Sequence, residues 1–176
     1  MSRFLFRRLA AYALDMATLF AVLAPLGFAV QRALGIGQAD VTGLGIYLAA
    51  VLTFSVPSWA YFTHADASAR GQTLGKRALG LRASGVEGER VGRGRALGRT
   101  AVKLAPWEGV HVAAFVLPAV GAPAGAQGAA FAAVYLALGA TLAVAWRSGG
   151  SRSLHDLAVG TRVVPTAEPA RPMASV

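Results

Sequence analysis

The chain contains no cysteine. That excludes disulfides, thiolate nucleophiles and thiolate metal sites. It is also short of charge: 14% of its residues are Asp, Glu, Lys or Arg, against about 25% in a soluble domain. So little polar side chain cannot cover a water-facing globule. Acidic residues are scarcest, eight among 176, so no paired-carboxylate active site is legible. Nor is a Ser-His-Asp set or a zinc motif, and neither catalysis nor a cofactor is expected.

What is present is apolar and blocked rather than alternating. Hydrophobic residues make up 55% of the chain, and the mean hydropathy is +0.52. Four blocks stand out, at about 9–30, 44–63, 104–120 and 128–146. A membrane-spanning helix needs about 20 mostly apolar residues. The third block is the shortest and is reached through Pro106. The first holds Asp15 and outruns the apolar core of a signal peptide, so it is read as an uncleaved helix.

The net charge of +9 is read as cationic loops gathered on one side of a membrane, not as a nucleic-acid surface. All but one of the 17 Lys and Arg residues fall before the first block, between the second and third, or after the fourth. Only Arg32 lies elsewhere. Four crossings place those segments together on the cytoplasmic side, whereas three would separate the basic middle loop from the basic tail. Heavy use of Ala, Gly and Arg hints at a GC-rich bacterial genome. The expected location is a bacterial inner membrane, multi-pass, with both termini cytoplasmic.

The expected fold class is an all-α membrane protein: a four-helix transmembrane bundle with a small cytoplasmic β-hairpin and an interfacial amphipathic helix. The hairpin is placed at Leu79–Ser84 and Glu89–Gly92, with Gly160–Val164 as an added strand. The amphipathic helix is placed at Arg93–Leu104, with Ala96, Leu97, Ala101 and Leu104 on its apolar face. Residues 1–164 form the membrane domain, 64–103 its cytoplasmic loop, and 165–176 a disordered tail. Trp59, Tyr61, Trp107 and Trp146 are expected at the cytoplasmic interface.

Asp15 is the most informative residue. A carboxylate in hydrocarbon must be paired, protonated or wetted. It is either a proton- or cation-binding group or one half of a buried pair that sets helix packing. Arg8 lies seven residues earlier on nearly the same face, about 10 Å away along the axis. The stretch Gly71-Gln72-Thr73-Leu74-Gly75-Lys76-Arg77 looks like a phosphate loop. It is one residue short of that pattern, and Arg77 replaces the hydroxyl residue. Lys76 and Arg77 are read as contacting lipid phosphate or a carboxylate. Asp156 is expected to join a charge network with Arg8 or Lys76, beside His155. Further polar candidates for a proton relay are His64, Asp66, Glu108 and His111. The expected partners are the bilayer, anionic headgroups, and either a second copy or a larger membrane complex.

Three segments in order resemble the RDD family of small membrane proteins, named for an arginine and two aspartates: Arg8–Asp15, Gly71–Arg82 and Leu154–Thr161. The resemblance implies that Arg8 is the arginine, Asp15 the first aspartate and Asp156 the second, with Lys76 as the loop lysine. Ala83-Ser84 departs from the family's usual aliphatic pair. The resemblance implies a compact helical membrane domain. It also implies either transport, including sodium–proton exchange in one branch, or a place beside a larger assembly.

Overall fold

The computed structural model describes residues 2–33 and 42–166. The chain runs α1 (Arg3–Ala33), α2 (Gly43–Ala50), a π turn (Val51–Ser55), α3 (Val56–Ala67), α4 (Leu74–Ala78) and β1 (Leu81–Gly85). It continues through α5 (Arg93–His111), a second π turn (Val112–Val116), α6 (Leu117–Ala119), α7 (Ala124–Arg147), α8 (Leu154–Val159) and β2 (Thr161–Pro165).

Among the described residues, three helices are long and apolar enough to cross a membrane: Arg3–Ala33, Gly43–Ala67 and Ala124–Arg147. On α1 the buried residues Ala11, Asp15, Leu19 and Gly27 recur at steps of four and eight. That is one stripe of an α-helix, and the rest of its surface exposes residues such as Val22, Leu26 and Phe28. In water such a surface would be untenable, and in lipid it is ordinary.

Both π turns have the same cause. Pro57 and Pro118 each stand two residues past the turn's last residue. Proline has no N–H to return to the carbonyl four residues back. The residue ahead of each proline reaches one position further instead: Val56 N–H bonds Val51 C=O, and Leu117 N–H bonds Val112 C=O. The helix widens locally but stays continuous.

The expected hairpin does not form. β1 pairs antiparallel with β2, in the register Leu81↔Pro165, Ala83↔Val163 and Gly85↔Thr161. Residues 86–92 turn instead into α5, so Glu89–Gly92 is not a strand. The sheet is thus closed by distant parts of the chain, and it holds the middle loop against the C-terminal segment. The strand β2 runs to Pro165, one residue past the expected domain boundary at 164; residues 167–176 of the expected disordered tail lie outside the described residues. The expected amphipathic segment is helical, but it is the first half of α5 rather than a separate helix. Its buried face is Ala96, Arg99, Thr100 and Leu104, while Leu97 is half exposed. The packing partners α3 and α8 are polar at this end, so the face turned inward carries an arginine.

Above this end, Phe20, Phe54 and Trp107 cluster with ring centroids 4.5–5.6 Å apart. Trp59 and Trp107 pack against this core. Of the expected aromatic belt, Trp146 is well exposed, but Tyr61 turns inward to Asp15.

Candidate functional site: a buried charge network

Among the described residues, four arginines from elsewhere in the chain donate to carbonyls at or just past helix C-termini, where backbone acceptors have no partner within the helix. Arg90 donates twice to Ala67 C=O at the end of α3, at 3.0 and 2.6 Å. Arg7 donates to Leu79 and Gly80 C=O after α4. Arg8 donates to Gly150 C=O after α7, at 2.8 Å. Arg95 donates to Val159 C=O (2.9 Å) and Gly160 C=O at the end of α8. A cation at a helix C-terminus also favours the macrodipole. Part of the chain's basic excess is therefore structural.

Asp15 anchors α4. Its Oδ1 accepts from Gly75 N–H and from the Tyr61 hydroxyl, both at 2.7 Å, and its Oδ2 accepts from the Thr73 hydroxyl at 2.6 Å. Thr73 is the N-cap of α4. Only glycine serves at position 75, since a Cβ there would stand 2.0 Å from Ala11 C=O. The glycine-rich stretch therefore seats α4 against α1, and its Thr and Gly supply the donors that a buried carboxylate demands.

Asp66, at the end of α3, is fully buried. Its Oδ1 receives the Lys76 ammonium. Its Oδ2 lies 3.1 Å from Arg99 and 3.5 Å from Lys103. Lys76 is thus turned inward rather than toward lipid phosphate.

Asp156, also fully buried, does two jobs. Three residues past the Ser153 N-cap, its Oδ2 accepts the Ser153 backbone N–H at 2.9 Å, half of a capping box. The same oxygen pairs with Arg8, while Oδ1 takes Arg99 at 2.9 Å and the Thr161 hydroxyl at 3.0 Å. Gly160, at φ 63°, then ends α8 and turns the chain into β2.

Arg99 therefore bridges the two aspartates, tying α3, α5 and α8 together, and Arg8 brings in α1. His155 Nε2 lies 3.1 Å from the Arg8 guanidinium and accepts its N–H. Burial, then the nearby Arg99 charge, pushes its pKa well below the usual histidine range, so the ring is neutral. The Asp156 carboxyl is also held far below its ordinary value: burial acts to raise it, but the charges of Arg99 and Arg8 prevail.

The network borders a cavity of about 270 Å³. Arg8, Lys76, Arg99 and Lys103 line it, with Asp15 and His155. Of the expected site residues, Arg8, Asp15, Lys76, Asp66, His155 and Asp156 gather here. His64 is exposed on α3. Glu108 accepts from the Trp59 indole at 3.3 Å, and His111 packs at a tilt against Trp107 with ring centroids 4.5 Å apart. Among the described residues, no hydrogen bond or ion pair joins these three to Asp15, so the expected relay does not form. No group of His, Cys, Asp or Glu among the described residues is arranged to hold a metal. Sequence reasoning missed Arg99 and Lys103 as site residues. The available signal was their four-residue spacing, which puts both on the same face as buried Ala96.

Long apolar helices enclosing ionisable groups at one end define an integral membrane protein with a charged core. A family model described as the RDD family matches residues 3–160. The chain belongs to the RDD family. No curated protein and no solved structure matches it.

Proposed function

We propose that the chain is a four-pass protein of the bacterial cytoplasmic membrane, with its two ends and its strand pair on the cytoplasmic side, and that it moves an ion through the cavity at the charge network. The crossing number is supported by connectivity. β1 and β2 pair with each other, and Arg8 near the start of α1 pairs with Asp156 just before β2. All three segments therefore share one end. If α7 crosses, the chain between the two strands must cross once more, and residues 93–119 are its continuous helical stretch. The basic segments then lie together, as the positive-inside rule requires.

The observation that carries the transport reading is the cavity itself. Ionisable groups within membrane helices are costly and mark functional sites by default. Here four cations and three carboxylates meet beside open space. Asp15 serves as a strut, because three donors occupy its oxygens. Lys103 and Asp66, 3.5 Å apart, are the pair with room to exchange partners.

The test is ion flux in proteoliposomes. Lys103→Gln abolishes flux while the protein stays folded, and Glu89→Gln leaves flux intact. Asp15→Asn lowers stability first. A second reading, an accessory subunit docking on a larger complex or a second copy, is favoured by α7. There Gly125, Gly128 and Gly139 face open space, and small residues permit close helix contact in lipid. Absent flux, with one stoichiometric partner retained in mild detergent, selects that reading.

A further inference from the structure

The cavity is asymmetric. Its inner end is cationic: Arg8, Lys76, Arg99 and Lys103 line it with Asp15, and Asp66 and Asp156 pair with them from behind, a formal excess of one positive charge. Its outer wall is apolar and belongs to α1 and α7, with Leu9, Leu138 and Leu142 among the lining residues. These three side chains are 37%, 41% and 54% exposed. At these three residues the cavity meets the apolar surface of the spanning helices.

Lys103 is the most weakly held of the four cations. Its ammonium has three donors. It lies 3.5 Å from an Asp66 oxygen that Arg99 already approaches more closely. Its other neighbour is the face of Phe62, 4.2 Å from the ring centroid. The opposing oxygens are largely spent: Asp66 on Lys76 and Arg99, Asp156 on Arg8 and Arg99, Asp15 on three neutral donors. An incoming anion would find a cation with free donors and would neutralise the excess charge.

Volume limits the occupant. Small-molecule pockets run to about 300–1,000 Å³, and 270 Å³ suits a headgroup with its chains left outside. A free anion would gain nothing from the apolar wall; an amphiphile would lay its chains along it.

We infer that this cavity receives the phosphate headgroup of an anionic lipid, held by Lys103, with the acyl chains leaving between α1 and α7 over Leu9, Leu138 and Leu142. The inference uses the same cavity as the transport reading and names the chemistry it takes.

The full chain, purified in a neutral detergent, is presented with phosphatidylglycerol, with phosphatidylcholine of the same chain length, and with inorganic phosphate, and bound species are counted by native mass spectrometry. One phosphatidylglycerol binds per chain, about tenfold tighter than phosphatidylcholine: both lipids carry the phosphate, but the choline ammonium cancels its charge and is repelled by the cavity's cations. Lys103→Gln removes that preference and Lys103→Arg keeps it. Leu142→Trp, at an exposed position where folding is not at stake, blocks the lipid by filling the mouth. Equal binding of the two lipids overturns the inference. So does inorganic phosphate binding as tightly as the lipid with Leu142→Trp without effect, which would mark a free-anion site. Selective lipid binding without ion flux upholds this inference and removes the transport reading; flux without lipid selectivity does the reverse.

Discussion

Asp66→Asn is the most informative single change. It keeps the side chain's shape and removes its charge. Asp66 is completely buried and serves Lys76, Arg99 and Lys103. Arg99 keeps Asp156, but Lys76 and Lys103 lose their ion-pair partner while remaining within 10% of full burial. Removing one partner of a buried pair costs about 3–5 kcal/mol, because the orphaned charge is still out of water. At about 2–4 °C per kcal/mol for a chain of this size, the melting point falls by roughly 10 °C. Thermal unfolding in neutral detergent reads this through tryptophan fluorescence, since Trp59 and Trp107 pack against the core. Glu89→Gln is the control. It removes the Arg95 pair at 2.6 Å, whose side chains are 37% and 24% exposed, and exposed pairs contribute about 0–1 kcal/mol. If the two variants shift the melting point equally, the network does not hold the helices together and the reasoning fails.

Gly75→Ala forces α4 off α1, because the new methyl would stand 2.0 Å from Ala11 C=O; overpacking costs about 1–3 kcal/mol, and the same melting assay reads the drop. Stability also falls as the solution is acidified. The His155 pKa is depressed in the folded state, so the unfolded chain binds the extra proton first, and stability is lost as pH drops below the ordinary histidine value of 6.5. Arg8, Arg99 and Lys103 oppose a charged ring there and Asp156 favours it. His155→Gln flattens the melting curve between pH 8 and 5, whereas an unchanged slope assigns the pH dependence elsewhere. A steeper loss follows below the ordinary aspartate range, as Asp156 protonates. Finally, the chain has no cysteine, so Ala83→Cys with Val163→Cys reports the strand register directly. The pair forms a disulfide under mild oxidation and Ala83→Cys with Val164→Cys does not; the reverse result would place the strands one residue out.

Hydropathy is a sum over consecutive residues, and lipid demands that every backbone polar group be bonded within the segment. The sequence alone therefore determined that this is a membrane protein, where its apolar helices lie, and that Asp15 had to find polar company. Arg8, Asp15, Lys76 and Asp156 were legible because charge beside apolar sequence is conspicuous. Their pairing was not. A carboxylate records no address, and Asp66 finds Lys76 and Arg99 only because α3, α4 and α5 converge at one end. Tertiary structure alone decided that Arg99 faces inward to bridge two aspartates and that Asp15 caps α4 instead of meeting Arg8. It also decided that β1 takes β2 as its partner, not the nearby Glu89–Gly92. Each outcome depends on which helix ends come together, and folding brings residues 81–85 against 161–165 across a stretch that no local pattern spans.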